Sequence, residues 1–203
     1  MKGIIFSASM VQAILDGRKS MTRRVIKGIF PEEKHDLDYP PHKHDEGDFA
    51  YHFQTDADDY VEHRLKPRYQ TGDILWVRET WADESGYFLY RADDTSEVIT
   101  DYNAIKWRPS IFMPREAARI FLKVTEVRVE RVQDITNDDA REEGALTTGL
   151  VNTIIRNTDG GIPRTQFHIL WDSINAKRGY GWDTNPWVWV YSFDRIDKES
   201  EGK

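Results

Sequence analysis

The sequence predicts an α+β fold: a small mixed β-barrel with two or three short helices and large loop insertions. Three observations carry that expectation. Five or six short apolar runs read as strands, the helical patterns are few and brief, and no regular strand–helix alternation runs through the chain. With 203 residues, 39% of them hydrophobic and 31% charged, the chain reads as a single domain, 1–203, with a modest core and solvated excursions.

Taken in order, Lys2 to Phe6 is a first strand. Ser9 then opens a capping box, Ser9-x-x-Gln12, with Met10, Ala13 and Ile14 on one helical face and Gly17 at the end. Thr22, Val25 and Ile26 suit an extended exit. From about 28 to 70 periodicity disappears, and Pro40-Pro41 with clustered acids and histidines reads as a long acidic loop insertion. Ile74 to Val77 is a buried strand and Tyr87 to Tyr90 another, while 93–106 reads as a variable loop. Arg119 to Val132 has strong strand character. Its apolar parity changes between Val124 and Val127, which predicts a bulge near Thr125. Thr136 caps a second helix running to Gly144, and a second loop follows at about 145–164. Phe167, Leu170, Trp171 and Ile174 mark a third helix, and Trp187 to Phe193 is apolar on both faces, as an interior strand must be.

The absence of cysteine excludes disulfides and zinc–thiolate sites and points to a cytoplasmic protein. No apolar run approaches a membrane span, and the N-terminus does not read as a signal peptide, so no membrane partner is expected. The net charge is −7, but 31–63 holds eleven acids against Lys34 and Lys43, a net of −9, which leaves the rest at +2. Strong nonspecific duplex binding is therefore not expected. A nucleoside or a short RNA element fits better, and the acidic segment offers a surface for a basic protein partner. His35, His42 and His44 with Asp45 and Glu46 read as a solvated loop more readily than as a metal site, because no third ligand is fixed in position. Gly179-Tyr180-Gly181 lacks the ending of a phosphate loop, and no cofactor is expected.

The stretch Gly17-Arg18-Lys19-Ser20-Met21-Thr22-Arg23-Arg24 carries four positive side chains and no acid. Cations at a helix C-terminus offset the dipole and account for Gly17, Arg18 and Lys19, but not for the charge that continues through Arg24 and Lys27. Among seven tryptophans most must be core. Trp76, Trp171, Trp187 and Trp189 are assigned there, and Trp81 and Trp107 are kept as pocket candidates able to stack a base. Arg78 and Glu79 read either as a buried pair bracing a pocket or as donor and acceptor to a base edge.

Gly17-x-Lys19-x-x-Thr22-x-Arg24 after a short helix resembles the signature of ASCH domains, members of the PUA-like β-barrel superfamily. Gly72-Asp73 opening a strand, the Ile135-to-Gly144 segment and the late apolar strand fall in the same order. Val77-Arg78-Glu79-x-Trp81 and Trp107-x-Pro109-Ser110-x-x-Met113-Pro114-Arg115 are similar to a longer branch found among phage and prophage proteins. The resemblance covers roughly half the chain by the order of its elements. It implies a barrel pocket for RNA or a modified nucleobase, with Arg18, Arg23, Arg24, Arg78, Glu79, Trp81, Trp107, Ser110 and Arg115 as binding candidates.

One bacterial branch with the same Lys-x-x-Thr spelling is an amidohydrolase that removes the acyl group from N4-acetylcytidine. Many other relatives carry glutamate at the position of Thr22 and have been proposed as RNA-binding modules. Carried over by position, Thr22 would be the nucleophile, Lys19 its base and Glu143 the carboxylate that orients or shuttles protons. A lysine of ordinary pKa, ~10.4, must fall by about three units to serve as a base at neutral pH, about 4 kcal/mol of differential interaction. Burial and the neighbouring arginines push that way, and a close Glu143 pushes back. The expectation is a binding protein of this class with amidohydrolase chemistry as its enzymatic form, against a non-catalytic RNA module or a protein–protein interaction module as alternatives.

Overall fold

The computed structural model describes residues 1–27, 41–44, 48–54, 60–93, 105–145 and 162–197. Their order is β1 (Lys2–Ile5), α1 (Ala8–Leu15), β2 (Met21–Val25), β3 (His42–Lys43), β4 (Phe49–Gln54), β5 (Tyr60–Leu65), β6 (Ile74–Arg78), β7 (Trp81–Glu84) and β8 (Tyr87–Tyr90), then β9 (Phe121–Arg131), α2 (Asn137–Glu142), α3 (Ile162–Asn175) and β10 (Trp187–Ile196). This is an α+β architecture. A five-stranded sheet runs β1-β6-β9-β10-β2, beside a three-stranded sheet β3-β4-β5 and the hairpin β7-β8. β1 lies parallel to β6, and the other pairs in the large sheet are antiparallel.

β10 is the interior strand that its two apolar faces require, paired with β9 on one side and β2 on the other. Trp189, Tyr191 and Phe193 join the main core with Phe6, Ile14, Leu75, Val77, Leu122 and Val124. Val188 and Val190 face a second core, with Met21, Ile135, Phe167 and Trp171 beneath α2 and α3. The β9–β10 register passes from Ser192↔Glu126 to Phe193↔Val124, so Thr125 is the extra residue of a bulge. That bulge lets Val124 and Val127 both turn inward despite their opposite parity.

Among the described residues strand pairing does not close the sheet into the expected barrel, since β1 and β2 each have a single neighbour in it. Side chains bridge the open seam instead. Arg24 Nη2 donates to the Ile5 carbonyl at 2.8 Å, and the Tyr69 hydroxyl donates to the Gly3 carbonyl at 3.0 Å. Both bonds serve carbonyls on the free edge of β1, which would otherwise need a strand or water.

The structure corrects four local expectations. Residues 28–70 are not one loop, because β3, β4 and β5 form an antiparallel sheet within them and Phe49 and Tyr51 are buried. The alternation of Phe49, Tyr51 and Phe53 marks that strand but is hidden among acids and histidines. Much of the expected acidic loop, with His35, Asp45 and Glu46, lies outside the described residues, as does most of the second loop. Helix α1 begins two residues earlier than the Ser9 capping box implies, with Ser7 as N-cap and the Ser9 hydroxyl 3.1 Å from that of Ser7. Residues 81–84 form a strand of their own, and Ile174 is exposed at the end of the third helix's stripe. Among the described residues no helix is long and apolar enough to cross a membrane.

Candidate functional site

Two helix endings of the same kind assemble the first half of the site. After α1, Arg18 N–H donates to the Ala13 carbonyl and Gly17 N–H to that of Ile14, with Gly17 at φ 73°. After α2, Ala145 N–H donates to the Ala140 carbonyl and Gly144 N–H to that of Arg141, again with φ 73° at the glycine. Both are Schellman endings, which require a left-handed residue just past the cap. The segments leaving them meet as an antiparallel bridge between Lys19 and Glu143. A Cβ on Gly144 would lie 2.9 Å from Ala13 Cβ and 3.1 Å from Lys19 Cβ, so only glycine allows this approach.

Lys19 and Glu143 are each 3% exposed. The Lys19 ammonium donates to Glu143 Oε2 at 2.8 Å, to the Glu143 carbonyl at 2.8 Å and to the Met21 carbonyl at 2.7 Å. Its three protons thus have three acceptors, one of them the C-cap carbonyl of α2, where the helix dipole favours a cation. Burial pushes the Lys19 ammonium down from its ordinary value, Glu143 pushes it back up, and Arg24 and Arg23 add to the fall. Arg23 extends the cluster. It donates to Asp139 at 2.7 Å, to Glu130 at 2.9 Å and to the other Glu143 oxygen at 3.4 Å, with no side-chain exposure. This is a buried lattice of compensated charge, and it absorbs two of the cations predicted to meet a ligand. Arg23 does not reach one from this position. Thr22 is buried beside the lattice.

The strand period splits the basic stretch. On β2, Met21, Arg23 and Val25 face the second core, while Thr22 and Arg24 stand opposite Tyr191 and Trp189 on the main-core side. Arg24 and Lys19 flank one ring, at 5.3 Å and 5.4 Å from the centroid of Phe6. Beyond it Arg24 emerges into a cleft of about 630 Å³ along the open seam. The lining holds six cations, Arg24, Lys27, Arg64, Lys66, Arg68 and Arg78, and among the described residues no carboxylate, with Tyr69, Tyr191 and Trp189 as aromatic wall. Arg64 does reach Glu62 at 3.2 Å on the exposed side of β5. The Nε groups of Arg24 and Arg78 are buried and have no partner among the described residues. Burial pushes the Tyr191 phenol up to about 12 and raises that of Tyr69, so both rings present neutral hydroxyls at neutral pH. Chemically this cleft suits an anion.

The remaining predicted residues scatter. Arg18 is at the surface, paired with Asp16 at 2.7 Å. Glu79 does not pair with Arg78. Its carboxylate, pushed up by burial, takes a bidentate bond from Arg119 at 2.9 and 3.0 Å, and Arg119 also holds Asp93. Trp81 is core, 3% exposed against Met113 and Ala117, with the Arg108 guanidinium 5.0 Å from its ring. Trp107 is half-buried 5.8 Å from the Arg91 guanidinium, away from the cleft. Ser110 begins a single 3₁₀ turn, and exposed Arg115 touches Met1 Sδ. Trp171 and Trp189 are core as expected, while Trp76 and Trp187 are only partly buried.

Sequence reasoning missed Arg64, Lys66 and Arg68, half the cleft's cations, because the acidity of 31–63 masked the basic run that follows it. The alternation Arg64-Leu65-Lys66 was the available signal. It also missed Arg119, Asp93, Glu130 and Asp139, whose partners are distant in sequence. Among the described residues no group of three or more histidines and carboxylates could hold a metal. No family model, curated protein or solved structure matches the chain.

Proposed function

We propose that this protein binds RNA, or a phosphorylated nucleoside derived from it, in the seam cleft, with the five-stranded sheet serving as an open PUA-like barrel. The observation that carries this reading is the cleft lining, six cations and three aromatic rings with no carboxylate among them, although Arg64 also reaches Glu62 outside the cleft. Uncompensated like charges in a concave, low-dielectric wall raise the local concentration of anions. Tyr69, Tyr191 and Trp189 belong to the core and are 1–7% exposed, so they floor the cleft and the cations carry the recognition. The resemblance to ASCH domains points to the same ligand class.

The test is a salt titration of affinity for a fluorescent short RNA. Affinity should fall linearly on logarithmic axes, and Arg68→Gln should flatten the slope by about 0.7 for a phosphate contact removed. Salt-insensitive binding, or no binding, overturns the reading.

A second reading, deacylation of N4-acetylcytidine, draws support from the Lys19–Glu143 contact and the buried Thr22 beside it. It ranks below the first for a geometric reason. Lys19 has all three protons engaged and so offers no lone pair to Thr22, and none of the three residues lines the cleft. Cytidine release that disappears in both Lys19→Ala and Thr22→Ala would reverse this order.

A further inference from the structure

The cleft does not end at its cationic wall. Arg78, one of its lining residues, donates through Nη2 to the Ile111 carbonyl in the single 3₁₀ turn Ser110–Phe112. That turn carries two large apolar side chains outward, Ile111 at 57% exposure and Phe112 at 71%. The next residue, Met113, is buried against Trp81 and Ala117, so the turn stands on a packed base. Pro109 and Pro114 bracket it and restrict its backbone. An aromatic ring presented this way loses little freedom on meeting a flat partner. The Arg78 guanidinium also lies 5.2 Å from the Trp76 ring, which fixes its side chain between cleft and turn.

We infer that the ligand is a single-stranded oligonucleotide and not a free nucleotide: Phe112 stacks the base of a nucleotide lying just outside the cleft, and Arg78 joins the two positions. This inference rests on the cleft reading above. A free nucleotide has no second base to place on Phe112, and a duplex keeps its base faces occupied, so only a single strand engages both features.

The test compares uridine 5′-monophosphate, hexauridylate and a short RNA duplex as probes, using the full chain and isothermal titration. Hexauridylate should bind more tightly than the mononucleotide. Phe112→Ala should weaken hexauridylate on the order of tenfold while leaving the mononucleotide and duplex unchanged, and Phe112→Trp should retain the affinity. Phe112 is exposed, so these variants test contact and not folding. Unchanged hexauridylate affinity in Phe112→Ala, or equal weakening of all three probes, overturns the inference. Arg68→Gln separates the two claims. Weakening of every probe there, with Phe112→Ala silent, sinks only the stacking platform, whereas no effect of Arg68→Gln sinks the cleft reading itself. Deoxyhexathymidylate, run in parallel, distinguishes an RNA from a DNA strand. Stacking predicts the same sensitivity to Phe112→Ala in both, and the tighter of the two names the sugar.

Discussion

Lys19 and Arg23 lie in a buried lattice with Glu143, Asp139 and Glu130, whereas Arg24, Lys66 and Arg68 face a cleft whose described walls hold no carboxylate. The side-chain types are the same, and Arg23 and Arg24 are neighbours. Their surroundings differ because alternate residues of β2 face opposite sides of the sheet. In the lattice each cation bonds to carboxylates, although the Arg23 Nε has no partner among the described residues, and its charge is used in joining α2 to β2. In the cleft the charges repel one another, and among the described residues Glu62, outside the lining, pairs with Arg64 alone. A cation that packing has already satisfied is a poor ligand contact, and a cation left unsatisfied is a good one.

The largest expected effect breaks the lattice. Glu143→Ala leaves Lys19 and Arg23 buried with a carboxylate missing and should cost about 3–5 kcal/mol, read as a lower urea midpoint by tryptophan fluorescence. Replacing the pair together, Lys19→Met with Glu143→Leu, should recover much of that loss. A single variant as stable as the wild type would mean that the lattice is not holding the two helix ends together.

Alkaline pH probes the cleft wall. Tyr191 is pushed up to about 12 by burial from an ordinary 10.0. Between those values the unfolded chain releases the phenol proton and the folded chain keeps it, so stability falls as pH rises across the window, by up to about 2–3 kcal/mol. Denaturant melts from pH 9 to about 12 should show this fall, and Tyr191→Phe should reduce it, with Tyr69, also raised by burial, contributing in the same direction. A wild-type curve flat across that range contradicts the burial of the phenol.

The glycines sharpen the contrast between local and tertiary demands. Gly17 and Gly144 share φ 73°, but a Cβ on Gly17 meets nothing within 4 Å while one on Gly144 meets Ala13 and Lys19. Gly17→Ala should cost about 1 kcal/mol for the left-handed backbone alone. Gly144→Ala should cost about 2 kcal/mol or more, since the lattice must also give way. Equal thermal shifts in the two variants would show that the segments do not meet closely.

The smallest effect on stability should come from the cleft. Arg68→Gln should change the unfolding free energy by no more than about 0.5 kcal/mol, because Arg68 is exposed and repelled by its neighbours. Its effect should be seen in RNA affinity instead. A loss of several kcal/mol would make Arg68 part of the framework and not of the ligand wall.

The sequence by itself determined the elements whose signals are local. The alternation of Trp187 to Phe193 marked an interior strand, the parity change around Thr125 marked a bulge, and Gly17 and Thr136 marked a helix end and a helix start, because each depends only on residues a few positions apart. Lys19 and Glu143 were legible as candidates, but their roles were not. Their contact spans 124 positions and depends on two Schellman endings and one glycine-permitted approach. The tertiary structure alone decided that Arg23 is buried while its neighbour Arg24 reaches a cleft. It also decided that Glu79 answers to Arg119 and that the basic end of an acidic segment supplies half the cleft's charge. Charge is a property of a residue, but its availability depends on which face of a strand it occupies and what packs there, and those partners come from distant parts of the chain.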